Sequence, residues 1–159
     1  VLSAIQNKVN LVHLVFDNKS VAMTGHQLSA STQVAYADLL RALGVASFSE
    51  ASAFHPKALE ALVKEKEQLE GVHVIWVSGA CAQIPDARAT FRRAHYAPQI
   101  DASKCASCTL CYESLACPAI DRDEKGQFQI DLARCMRCGV CHEICPNDAI
   151  DLGAKTGQA

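Results

Sequence analysis

Long apolar runs are missing from this 159-residue chain; stretches such as "LVHLVF" and "VHVIWV" have only the length of a strand. A membrane-spanning helix needs about 20 consecutive apolar residues, so no membrane partner is expected. No positively charged segment followed by an apolar stretch opens the chain, so no signal peptide is expected. An excess of either charge is missing too. The formal net charge is -2, which gives no global electrostatic case for nucleic acid or an anionic membrane surface. The remaining totals, 50% hydrophobic and 20% charged, suit a soluble globular protein of one domain or two small ones. The chain opens on Val1 rather than Met, which points to processing or a fragment.

Cysteine, by contrast, is abundant and clustered. Of nine cysteines, eight lie between Cys105 and Cys145. They fall into two copies of one pattern. "CASCTLCYESLACP" (105–118) reads C-x2-C-x2-C-x5-C-P, and "CMRCGVCHEICP" (135–146) reads C-x2-C-x2-C-x3-C-P. Disulfides are one reading and a zinc site another. Three sulfurs packed into so short a span suit thiolates converging on a metal centre better than pairing with distant partners. Structural zinc usually draws its four ligands as two separated pairs. The second copy instead matches the bacterial ferredoxin run, in which three cysteines bind one [4Fe-4S] cluster and the fourth reaches across to the other. On that pattern Cys105, Cys108, Cys111 and Cys145 hold one cluster, and Cys135, Cys138, Cys141 and Cys117 hold the second. Pro118 and Pro146 redirect the chain after each cross-reaching cysteine. Ile120 and Ile150 start strand-like stretches, and Gly126 marks a turn. A small α+β bacterial-type 2[4Fe-4S] ferredoxin domain is therefore expected over residues 101–155. With so little apolar core, it must draw much of its folding energy from the clusters. Its acidic surplus reads as an ordinary solvated surface.

The first part of the chain alternates strand and helix. "VNLVHLVF" (9–16) and "VHVIWVSG" (72–79) read as buried parallel strands. "SASTQVAYADLLRALGV" reads as a capped helix ending near Leu43, with Gly44 as its stop, and "HPKALEALVKEKEQLE" as a second helix opened by Pro56. This predicts an open α/β domain over residues 1–81. Residues 82–100, with Arg88, Arg92 and Arg93, read as a connector. Cys81 reads as a buried, inert thiol, and His13, His55, His73 and His95 form no usable spacing. The stretch "FDNKSVAMTGHQ" follows the first strand, where open α/β sheets bind ligands. It offers the hard oxygen ligands that suit Mg²⁺.

"VFDNKSVAMTGHQ", followed by a short α/β region and a two-cluster tail whose first motif has the longer last gap and then "CPAI", resembles the 2-oxoacid:ferredoxin oxidoreductases. It is most similar to the large subunit of their indolepyruvate branch. The resemblance implies that the first domain is part of a thiamine-diphosphate-binding fold. It implies that Asn18 binds Mg²⁺ through its side chain and Ser20 through its carbonyl, with Thr24, Gly25, His26 and Gln27 lining the cofactor loop and Met23 near the thiazolium. It implies oxidative decarboxylation of a 2-oxoacid, an arylpyruvate in this branch, to an acyl-coenzyme A. Electrons would pass through both clusters to an external ferredoxin. The Gly-Asp-Gly stretch that opens the family's thiamine motif is absent, since only seventeen residues precede Asn18. The missing part is expected upstream in the same polypeptide, or else on another subunit. An alternative is an electron-transfer module without its own catalytic site. Oxygen-sensitive clusters imply an anaerobic, reducing cytoplasm.

Overall fold

A computed structural model of the chain describes residues 1–25, 27–81 and 97–153. His26 and the connector's Arg88, Arg92 and Arg93 lie outside the described residues. The chain divides into two compact units, Val1–Cys81 and Ala82–Ala159.

The first unit is built on a three-stranded parallel sheet of β1 (Leu11–Asp17), β4 (Ser47–Ser52) and β5 (Val72–Ser78), ordered β1-β5-β4. Central β5 is apolar on both faces because both are covered. Val74 and Ile75 are fully buried, and Val72 and Val77 nearly so. That is why it reads as a continuous apolar run rather than an alternating one. In β5, His73 is buried without penalty. Its Nε2 donates to the Glu70 carbonyl at 3.1 Å, leaving Nδ1 to accept from the Ser47 hydroxyl at 2.8 Å. β4 carries "SFSEAS", a polar edge strand with no periodic signal, and was not anticipated.

Around the sheet lie α1 (Leu2–Gln6), α2 (Tyr36–Ala42) and α3 (Pro56–Lys66). Pro56 opens α3 as expected, where its missing N–H costs nothing. Gly44 follows α2 with φ of +89° and Gly71 follows the α3 segment with φ of +102°. A methyl group at Gly71 would meet the Ala46 Cβ at 2.9 Å, so glycine is required there twice over. The expected capped helix beginning near Ser29 is corrected. α2 begins only at Tyr36, with no side-chain cap, and Ala30–Thr32 form a separate 3-10 turn. The serines that would have capped it are used elsewhere: the Ser31 hydroxyl donates to the Asp17 carboxylate at 2.6 Å.

Among its described residues the second unit has two antiparallel strand pairs: β6 (Gln99–Ile100) with β9 (Ile150–Asp151), and β7 (Ile120–Arg122) with β8 (Phe128–Ile130). Gln99 and Ile100 are thus already part of this unit rather than of a connector. The pairs repeat with an offset of 30 positions. Ile100 pairs with Ile150 and Ile130 with Ile120, and the Asp101 and Asp131 N–H groups donate to the Ala149 and Ala119 carbonyls, each at 2.8 Å. The same offset relates Cys105 to Cys135, Cys108 to Cys138 and Cys111 to Cys141. It fails only around the last cysteine of each copy. Two extra residues before Cys117 are balanced by two extra after Pro146, so Ala119 and Ile120 are buried like Ala149 and Ile150. The extra length is absorbed in a π-helical turn at Leu110–Ser114, closed by a 3.0 Å bond from the Leu115 N–H to the Leu110 carbonyl. The second copy has an ordinary helix there, α4 (Val140–Ile144).

Candidate iron–sulfur centres and the loop after the first strand

Left-handed residues shape both cysteine loops. Ser107 and Thr109 have φ of 53° and 63°, and their counterparts Arg137 and Gly139 have 57° and 76°. These turns curl each C-x2-C-x2-C segment so that its thiols face one interior. A cavity results that is lined by Cys105, Cys108, Cys111 and Cys145, together with Phe128 and Thr109 among others. The three consecutive cysteines of the first copy thus share this cavity with the last cysteine of the second. In the reciprocal set, Cys138, Cys117 and Cys135 lie near Cys141. Cys141 is buried, and burial first, then the charges of Cys138, Cys117 and Cys135, push its thiol up to about 12. Burial likewise raises Cys111, with Cys105, Cys108 and Cys145 adding to it. Burial raises Cys135, opposed by the N–H and the charge of Arg137.

The donor set is all thiol, with no histidine or carboxylate among the eight. Among the described residues no three His, Cys, Asp or Glu side chains converge as a single ion requires. Four sulfurs arranged around a cavity suit a polynuclear cluster better than a lone zinc. All eight are free thiols, with no disulfide among them. Among the backbone donors that point at cysteine sulfurs are the Arg137 N–H, to the Cys135 Sγ, and the Ala149 N–H, to the Cys145 Sγ, each at 3.3 Å. Such bonds favour the more negatively charged state of a thiolate-ligated centre. The identity of these donors was not legible in the spacing, because the two come from different parts of the repeat.

The loop after β1 is a compact hairpin of β2 (Ser20–Val21) and β3 (Gln27–Leu28). Asn18 and Ser20 lie side by side, the Asn18 Oδ1 accepting the Ser20 N–H at 3.1 Å. Thr24, Gly25 and Gln27 are together at the exposed tip. The Gln27 side-chain amide donates to the Thr24 carbonyl at 2.7 Å, the Thr24 hydroxyl to the Gln27 Oε1 at 2.9 Å, and Gly25 takes φ of +102° to close the turn. Met23 is fully exposed. The Asn18 and Ser20 oxygens are of the right kind for Mg²⁺, but fewer than its octahedral shell needs.

The organising residue of this loop was not singled out in the sequence. Asp17 is buried at the end of β1. Its carboxylate accepts from the Lys19 N–H at 2.9 Å, the Ser31 hydroxyl at 2.6 Å and the Trp76 indole at 3.2 Å, and pairs with the Lys19 ammonium at 2.8 Å. Burial alone would raise its pKa, but the Lys19 and Ser31 bonds outweigh burial and hold it at about 2. Its only sequence signal is its position directly before Asn18. Trp76 in turn stacks on Tyr36, with ring centroids 4.9 Å apart. Cys81 is a half-buried free thiol.

Residues 128–151 match the family model described as a 4Fe-4S binding domain. That span covers the second cysteine copy; the first, with its longer last gap, lies outside it. The chain is similar to indolepyruvate oxidoreductase subunit IorA of Pyrococcus horikoshii, at 30% identity over 131 residues. It is 29% identical to the subunits of that name from Thermococcus kodakarensis and Pyrococcus abyssi over the same length. In each case the match covers 74% of this chain and 20% of the relative. The chain thus spans about a fifth of the length of these relatives, at their C-terminal end. No solved structure matches. No helix among the described residues is long and apolar enough to cross a membrane.

Proposed function

The chain carries the C-terminal, ferredoxin-like part of an IorA-type indolepyruvate oxidoreductase subunit, and from that premise we propose that it carries electrons through two [4Fe-4S] clusters during 2-oxoacid oxidation. What supports this reading is the repeated cysteine spacing, the cavity shared by Cys105, Cys108, Cys111 and Cys145, and the nearness of Cys138, Cys117 and Cys135 to the buried Cys141. Cys105, Cys108, Cys111 and Cys145 would hold one cluster, and Cys135, Cys138, Cys141 and Cys117 the other. Each cluster, when bound, supplies a one-electron couple. The chain's own part is to give up the thiol protons on loading, to fix the sulfurs through the left-handed turns, and to aim the Arg137 and Ala149 N–H groups at two of them.

The wider reaction follows from what the relatives are called and from the family resemblance. A 2-oxoacid such as an arylpyruvate is decarboxylated and oxidised, its acyl group is transferred to coenzyme A, and two electrons leave one at a time for an external ferredoxin. Thiamine diphosphate supplies the electron sink for decarboxylation. Asn18 and Ser20 would contribute oxygens to its Mg²⁺, and the hairpin tip with Thr24, Gly25, His26 and Gln27 would line the cofactor. The remaining ligands would come from the rest of the subunit or from another chain.

Anaerobic loading tests the first part. About eight iron and eight sulfide per chain are expected from two cubanes, and a colourless zinc-loaded protein overturns the reading. Magnesium-dependent thiamine-diphosphate binding by the full-length subunit, weakened by Asn18→Ala, tests the second. Binding that is absent, or indifferent to Asn18, favours an electron-transfer module without a catalytic site.

A further inference from the structure

The two cysteine copies are alike in backbone but unlike in exposure. In the first copy Ala106, Cys108, Leu110 and Tyr112 are all exposed. Their counterparts 30 positions on, Met136, Cys138, Val140 and His142, are all half-buried. Cys108 is the one exposed thiol of the eight. Leu110 and Tyr112 beside it are large apolar side chains, each 37% exposed. The Tyr112 ring packs 5.5 Å from that of Phe128, which itself lines the cavity of Cys105, Cys108, Cys111 and Cys145. The Arg122 guanidinium lies over both rings, at 5.7 and 4.8 Å from their centroids, and braces the pair.

We infer that the first four-thiol site is the terminus at which the chain exchanges electrons with an external carrier, and that a small iron–sulfur protein docks on the face of Cys108, Leu110 and Tyr112. The second site, whose corresponding face is half-buried, is then the inner relay. This inference rests on the reading that both sites hold [4Fe-4S] clusters. In each encounter one electron passes to the carrier, which is reduced as the subunit is oxidised. No bond is made or broken, and two encounters discharge both sites.

The chemistry of the face selects the partner. Its charged neighbours are of both signs: the Glu113 carboxylate, which accepts from the Thr109 hydroxyl at 2.8 Å, the Arg122 guanidinium over the Tyr112 ring, and Lys104, which faces Asp101 at 4.0 Å. The centre is apolar and small, as suits a transient electron-transfer encounter, which typically buries less than about 1,200 Å².

The test uses the full-length, cluster-loaded subunit and a small bacterial-type ferredoxin. Calorimetric affinity between the two oxidised proteins is measured without turnover, and the rate of ferredoxin reduction by the pre-reduced subunit is measured by stopped flow. Leu110→Glu and Tyr112→Ala should each weaken binding and slow reduction about tenfold or more, with iron content unchanged. Leu132→Glu, at an exposed apolar residue of the second copy, should change both less than about twofold. If Leu132→Glu has the larger effect, or if neither face matters in a fully loaded subunit, the exit assignment is overturned while the cluster reading stands. A subunit that takes up no iron overturns both.

Discussion

The two units of this chain reach stability by different routes. In the first unit the centre is a strand of Val72, Val74, Ile75 and Val77 between two parallel neighbours, an apolar core that owes nothing to a metal. In the second, the core cluster and its packed neighbours comprise eleven side chains, five of which are cysteines. Thiols bury as small hydrophobes, but these five border four-sulfur sets and leave little else to hold the unit together. A unit of this size with so thin a core is marginal by itself. Its folding and its loading should therefore be a single event, whereas the first unit should be indifferent to iron.

Iron removal is the strongest way to break that comparison. Anaerobic chelation should abolish protease resistance across residues 97–153 and leave the Val1–Cys81 unit intact. Cys141→Ser should cut iron from about eight to about four per chain, or fewer where loss of one site empties both. Survival of both units without iron would remove the distinction. The converse variant is Ile75→Ala. Truncating this fully buried side chain should cost the first unit about 2–5 kcal/mol, read from denaturant unfolding, with iron and sulfide unchanged.

The comparison also explains what was legible in the sequence. The cysteine repeat was legible in the spacing because metal geometry constrains ligands at short, fixed intervals. The strong apolar run of β5 and the Pro56 start of α3 were equally clear, since each is a local signal. β4 was not, because an edge strand with Glu50 exposed needs no apolar run to pair with β5. The start of α2 was misplaced for a different reason. Ser29 and Ser31 look like caps locally, but Ser31 is taken by Asp17, fourteen positions away. The Asp17 network joins residues 17, 19, 31 and 76, and no periodicity links them. The compensating two-residue shifts around Cys117 and Cys145 were half visible. The longer gap was plain, while its consequence, a π-turn that preserves the offset of 30, emerged only in three dimensions.

Asp17 gives a smaller, pH-dependent test within the first unit. Its folded pKa of about 2 lies below the ordinary value of 3.8. Its contribution to stability is therefore complete above about pH 4 and is lost as pH falls through about 2. Asp17→Asn should cost roughly 1–2 kcal/mol near neutrality, after discounting for solvent screening, and the deficit should vanish in acid. An equal deficit at both pH values would make Asp17 a packing residue rather than a charged anchor for the loop.

The smallest expected effect separates the two cysteine copies from each other. Gly139 and Thr109 occupy the same left-handed position, with φ of 76° and 63°. Thr109 tolerates it with the help of its hydroxyl bond to Glu113 at 2.8 Å. A residue without that bond meets only the steric cost of the conformation, so Gly139→Ala should destabilise the loaded second unit by about 1–2 kcal/mol. The readout is the temperature at which the iron–sulfur absorbance bleaches under anaerobic heating. Thr109→Ala loses the bond but already bears a Cβ, so its loss should be smaller, about 1 kcal/mol or less. Should Thr109→Ala prove the more damaging of the two, the hydroxyl bond rather than backbone geometry would govern these turns. The first copy would then depend on a side-chain contact that the second replaces with glycine.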